Sequence, residues 1–185
     1  ATQVDASSTI LGRLLHRLCG KGARNKHLPP FWRALDPAQL ADMLGAYWAG
    51  DGSGYSCCTV SPRLAWELRE AFLSLGILTA ITDGKARHGK GLKSSIGRHR
   101  VVTLQVPAIS QAGFRAMFPE LGIDYVRSND YLHLAARDQA GFWLTLSLAE
   151  QEPYAGKVYN LGARPDQSYI LQGYTVHNCL KSASL

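Results

Sequence analysis

Apolar positions recur with helical spacing three times in the first half of the chain. Residues 8–19 place Ile10, Leu11, Leu14, Leu15 and Leu18 on one face, and Gly20 ends the run. The second segment opens on Asp36 as N-cap, Pro37 at the first helical position and Gln39 where a capping box needs it. It is expected to run from Pro37 to about Gly50. The third segment opens the same way, with Ser61 as cap followed by Pro62. Leu64, Leu68, Phe72 and Leu75 form its apolar face, and Gly76 closes it. Stretches 54–60, 77–83 and 100–106 are rich in β-branched and aromatic side chains and predict strands. A short helix is expected after Ser110, stopped near Pro119. Beyond it, 142–148, 157–162, 167–171 and 174–177 read as short strands separated by Gly, Pro and Asp turns. The pattern predicts a mixed α/β front and an all-β tail, with the change near residues 135–141. The long pattern from Asp36 to Gly52 occurs once, so no repeat is visible.

Composition narrows this picture. The chain has 185 residues, 46% of them apolar, enough for one sizeable core or two small ones. Eighteen glycines and only 18% charged residues fit a folded, turn-rich protein better than a disordered one. No apolar run is long enough to span a bilayer, so no membrane partner is expected. The opening Ala1-Thr2-Gln3-Val4-Asp5 lacks the basic and apolar regions of a signal peptide. It also lacks an initiator Met, so the chain reads as a fragment. The net charge of +6 suits a polyanion without identifying one. Cys19, Cys57 and Cys58 have no zinc-ligand spacing, and read as small thiols in a reducing, cytoplasmic compartment. Cys57 and Cys58 are adjacent in an expected strand, so their side chains should point to opposite faces.

Two segments carry candidate chemistry. In Leu44-Gly45-Ala46-Tyr47-Trp48-Ala49-Gly50-Asp51-Gly52, small residues at 45, 46, 49 and 50 leave one helix face nearly bare. A second helix could approach it closely. Asp51, at the helix end, could then meet a second carboxylate, and such a pair can hold Mg²⁺. Taken alone, an ordinary amphipathic helix with a glycine C-cap is the better reading. The second segment runs from Lys157-Val158-Tyr159-Asn160-Leu161 to Val176-His177-Asn178-Cys179. It reads as short strands joined by a turn at Gln172-Gly173. The Asn178 side-chain nitrogen can attack its own peptide carbonyl, forming a succinimide and breaking the Asn178–Cys179 bond. His177 can polarise that carbonyl or protonate the leaving amine, and Cys179 as thiolate is a nucleophile toward a thioester.

These segments resemble two known families. The first looks like the LAGLIDADG, or dodecapeptide, motif of homing endonucleases, with Ala49-Gly50-Asp51-Gly52 matching its most telling end. Asn25-Lys26-His27-Leu28-Pro29 resembles the Lys-x-Ile-Pro element that precedes the second such motif in intein-borne endonucleases. Ser61 to Ile77 resembles the helix that follows it. The likeness covers roughly residues 10–125. It implies an endonuclease half-domain, a helix plus a saddle-shaped antiparallel sheet over double-stranded DNA. Asp51 would be a catalytic metal ligand for Mg²⁺. Lys85, Arg87, Lys90, Lys93, Arg98 and Arg100, in or beside a Gly-rich basic loop, would line or flank that saddle and contact phosphates. A solvated basic loop that touches no DNA is the competing reading. The family also often carries a lysine near its metal carboxylates, which this sequence does not securely place. Only one dodecapeptide is present, and its surroundings look like the second.

The second segment resembles the C-terminal blocks of inteins, protein-splicing elements with a Hint-type domain. Carried over by position, His177 is the penultimate His, Asn178 the cyclising Asn and Cys179 the first extein residue. Asn160 stands where the family often has Asp, and Gln167 where it often has His. Ala1 is not a splicing nucleophile, and the N-terminal splicing blocks are absent. The resemblance implies endonuclease residues 1–138, the C-terminal part of a Hint domain at 139–178 and an extein start at 179–185. It further implies an N-terminal intein half and flanking exteins as partners, with no cofactor for splicing. A working endonuclease and a non-catalytic DNA-binding remnant are the alternatives.

Overall fold

The computed structural model describes residues 8–84, 100–125, 136–145, 153–157, 163, 168–171 and 174–177. Among the described residues there are four α-helices: α1 (Thr9–Cys19), α2 (Pro37–Asp51), α3 (Pro62–Ser74) and α4 (Ala108–Met117). Strands β1 (Gly52–Ser53), β2 (Ser56–Thr59), β3 (Ala80–Gly84) and β4 (Val101–Gln105) form one antiparallel sheet in the order β1-β2-β4-β3. Two separate hairpins follow, β5 (Ala136–Arg137) with β6 (Phe142–Trp143), and β7 (Ser168–Leu171) with β8 (Tyr174–His177). The class is mixed, helices with small antiparallel sheets, as the alternation of sequence periods predicts.

The helix boundaries follow from local chemistry. Asp36 accepts from the Gln39 amide at 2.9 Å, and the Gln39 side chain answers at the Asp36 amide, the reciprocal capping box. Ser61 caps α3 through the Leu64 amide and also donates to the Lys26 carbonyl at 2.6 Å. One hydroxyl therefore starts a helix and anchors the preceding loop. The fourth helix begins earlier than its sequence suggests, at Ala108 after Pro107. Ser110 lies inside it, buried, and its hydroxyl accepts the Leu78 amide at 2.9 Å. A tertiary contact thus takes the hydroxyl of the residue after which the helix was expected to begin.

The core lies between α2, α3 and α4 and one face of the sheet. Trp48, Phe72, Phe114 and Phe118 stack edge-on or tilted with centroids 4.9–6.0 Å apart. Such pairs add to the hydrophobic term that area burial alone supplies. Along β2 the alternation is strict, with Cys57 and Thr59 buried and Cys58 exposed, as expected for adjacent strand residues. Helix α1 departs from the usual use of an apolar stripe. None of its residues is buried, and Ile10 is 83% exposed.

The tail is built differently. None of its described residues is buried. Asp138, in the β5–β6 turn, accepts from the amides of Ala140 and Gly141 and from the Trp143 indole. Residues 138 and 139, where the domain division was expected, lie in this turn. Of the expected tail strands, 167–171 and 174–177 coincide with β7 and β8, and only Phe142–Trp143 of 142–148 is extended among the described residues. The 157–162 strand lies almost wholly outside them.

Candidate functional site

Helix α2 delivers Asp51 to the edge of the sheet as its last residue. The turn beyond it is fixed from inside. The Trp48 indole donates to the Gly54 carbonyl at 2.8 Å, and Gly54 has a φ of 55°. A Cβ at Gly52 would lie 2.5 Å from Trp48 Cδ1 and 2.7 Å from Nε1, so only glycine fits against the buried ring. Asp51 is therefore held by a core residue three positions back, yet is itself exposed. A carboxylate at a helix C-terminus faces the negative end of the helix dipole. Among the described residues no ion pair compensates it.

Beneath Asp51 lie Tyr47 and Cys57. The Tyr47 hydroxyl is buried beside the Cys57 thiol. Burial, reinforced by Cys58 and Asp51, pushes the Cys57 thiol up to about 12. The same causes, with burial again the largest, push the Tyr47 phenol up. Both groups are neutral near pH 7.

Asp51 opens onto a cleft of about 340 Å³ that is also lined by Ala23, Lys26, Cys58, Thr59, Val60 and Val101. Lys26 is the one basic residue in this lining. Its loop is tied down at three points: by Ser61 at the Lys26 carbonyl, by Glu67 at the Leu28 amide (2.7 Å), and by the Cys19 carbonyl at the His27 amide (3.0 Å). The signal was present in Asn25-Lys26-His27-Leu28-Pro29, but the side chain's neighbour is a product of the fold.

The sheet face opposite the helices is neutral and polar. Register puts Ser53, Ser56 and Gln105 in one row and Cys58, Thr103 and Thr82 in the next. Cys58 Sγ lies 3.4 Å from Thr103 Oγ1, and Thr82 Oγ1 donates to the Thr103 carbonyl at 3.5 Å. Sequence reading passed over this array, although the period-2 alternation of 56/58 and 103/105 carried it. Arg100 pairs with Asp83 at 2.8 Å, and Asp83 follows the parity of Ile81, whose side chain packs toward the core. Lys85, Arg87, Lys90, Lys93 and Arg98 lie outside the described residues.

The small residues of α2 do not all act together. Gly45 is buried, and a Cβ there would meet Glu120 Oε1 at 2.9 Å and Phe118 Cδ1 at 3.1 Å. The chain's own Phe118–Glu120 segment thus covers that side, correcting the expected four-residue bare face. Ala46, Ala49 and Gly50 are exposed, and a Cβ at Gly50 would meet nothing within 4 Å. Asp51 sits at the end of this open strip. Among the described residues no group of three or more His, Cys, Asp or Glu side chains could hold a metal. Asp51 alone supplies one oxygen ligand, so these residues do not by themselves make a Mg²⁺ site.

At the other candidate site, β7 and β8 pair antiparallel with Ser168 opposite His177. His177 is the last residue of β8. Asn178 and Cys179 lie outside the described residues.

No family model matches the chain, and no solved structure matches it. The chain is 29% identical over 171 residues to the ATP-dependent DNA helicase Hel308 of Thermococcus kodakarensis, across 86% of this chain and 14% of the helicase. It therefore spans only a small part of the relative it matches. No helix among the described residues is long and apolar enough to cross a membrane.

Proposed function

We propose that the chain is the C-terminal portion of a protein-splicing element carrying a LAGLIDADG-type endonuclease half-domain. The observation that carries the reading is the β7–β8 hairpin, whose second strand ends on His177 immediately before Asn178 and Cys179. Antiparallel pairing holds the His177 backbone while the scissile bond follows directly after the strand. The Asn178 side-chain nitrogen attacks the Asn178 carbonyl carbon, and the carbon–nitrogen bond to Cys179 breaks. Asn178 closes to a succinimide, and Cys179 leaves with a protonated α-amine. His177 supplies or relays that proton. When an N-terminal half delivers a thioester, the Cys179 thiolate attacks it first, and the later cleavage releases ligated exteins.

With an N-terminal half present, Asn178→Ala should abolish release and ligation of the segment from Cys179 onward, as read by mass spectrometry. Normal ligated product from that variant would sink the reading. Cys179→Ala should block ligation and leave some Asn178-dependent cleavage.

A second reading, DNA binding or cutting by the body, is favoured by Asp51 and Lys26 lining one cleft beside a neutral, hydrogen-bonding sheet face. Hydroxyl and amide side chains on such a face suit base edges in a major groove, while lysines suit phosphates. Mg²⁺ would need a second carboxylate, supplied by a second dodecapeptide helix against the Ala46–Ala49–Gly50 strip. The helicase likeness concerns a DNA-handling protein and is specific to neither reading. Mg²⁺-dependent nicking of duplex DNA that is lost in Asp51→Asn would support cutting. Salt-sensitive duplex binding without cleavage would reduce it to binding.

A further inference from the structure

Arg69 is the one charged residue buried among the described side chains, 6% exposed in the middle of α3. Its Nε is buried without a hydrogen-bond partner. A guanidinium in such a place ordinarily sits against a carboxylate, because removing its charge from water is costly. Here it lies against two aromatic faces. Its Cζ is 5.3 Å from the Trp66 ring centroid, one helical turn earlier, and 4.6 Å from that of Tyr174. Tyr174 is the first residue of β8, and His177 is the last. The closer of the two cation–π contacts thus joins the α/β body to the strand that ends at the splice junction. The β5–β6 hairpin reaches the turn just beyond α3, since Arg137 Nη2 would stand 3.4 Å from a Cβ at Gly76.

We propose that Arg69 is a positioning residue for the splice junction, acting through Tyr174 to fix β8 against α3. The inference rests on the splicing reading above. Physically, among the described residues β8 has only its hairpin partner β7 for backbone pairing, and a single two-stranded ribbon is marginal in water. A desolvated Arg–aromatic contact at its first residue restrains the strand at the end opposite His177. Rigid placement of the strand is what Asn178 cyclisation requires, because attack on its own carbonyl depends on a narrow range of geometry. Cyclisation in this chain should therefore depend on a residue of the endonuclease-like body that touches no reacting atom.

The test uses the full chain downstream of an N-terminal splicing half, following Asn178-dependent release by mass spectrometry and β8 amide exchange in parallel. Tyr174→Leu, at a position 47% exposed in the folded chain, should slow release about tenfold and speed β8 exchange. Tyr174→Phe keeps the ring face and should retain the parental rate. Arg69→Met should match Tyr174→Leu, and the double variant should be no slower than either single one, since both remove one contact. Parental release from Tyr174→Leu, or additive losses in the double variant, would overturn the proposal. Core amide exchange in α2 and β4 checks that the body stays folded. If Arg69→Met unfolds it, the contrast between Tyr174→Leu and Tyr174→Phe decides alone. Product from Asn178→Ala would overturn the splicing reading, and with it any role in release. The exchange data would still report separately whether Arg69 holds β8.

Discussion

The body and the tail of this protein use aromatic residues in opposite ways. In the body, Trp48, Phe72 and Phe114 are at most 2% exposed and pack on one another across three helices. In the tail, Trp143 is 60% and Tyr154 73% exposed, and the aliphatic Ile170 is 73% exposed as well. The body closes its own core, whereas Trp143, Tyr154 and Ile170 of the tail stay exposed and Tyr174 rests on Arg69 of α3. The difference also explains how the body can hold a precise local geometry at Asp51. The indole that fixes the α2–β1 turn is itself locked in the core.

The largest expected effect separates the two regions by stability. Phe114→Ala should cost about 3–5 kcal/mol, because the surrounding rings can collapse only partly into the space. Ile170→Ser should change stability by less than about 0.5 kcal/mol. Urea unfolding followed by far-UV dichroism measures both, and comparable losses would erase the distinction between a closed body and an open tail.

A smaller effect probes the buried side of the Asp51 cluster. The Cys57 thiol is raised from 9.0 to about 12 by burial first. Its folded value lies above its unfolded one, so its contribution is fully present below about pH 9 and is lost as the pH rises toward 12. That loss is on the order of a few kcal/mol at most. Cys57→Ala should flatten the fall in stability across this window, as measured by chemical denaturation at stepped pH. An unchanged slope would mean that the thiol is not desolvated as its position implies.

The smallest effect tests whether Asp51 serves structure. Asp51→Asn removes a negative charge from a helix C-terminus and should stabilise the body by about 0.3–1 kcal/mol. A loss of stability in thermal melts would instead make Asp51 a structural residue, and would remove the main reason to look for chemistry in the cleft.

Much of the body was legible in the linear pattern. Asp36-Pro37 and Ser61-Pro62 mark helix starts because their capping reaches only three residues ahead. Strands β2 and β4 fall inside the expected stretches and β3 overruns its stretch by one residue, since β-branched and aromatic content is also local. Errors arose where a polar group had a distant partner. Ser110 suggested a cap, yet its hydroxyl serves Leu78, 32 positions away. Gly45 suggested an open face, yet Phe118 and Glu120 cover it.

By itself, then, the sequence determined the order of elements, the mixed class, Asp51 at a helix end and the ordering His177-Asn178-Cys179, because each depends on neighbours within a turn or a strand. Tertiary structure decided which residues meet. It brought Lys26 into the cleft of Asp51, turned a row of Ser, Thr and Gln side chains onto one sheet face, and set Arg69 against Tyr174. Those meetings depend on loop closure and on burial of a shared core, which join positions tens of residues apart and leave no period in the chain to read.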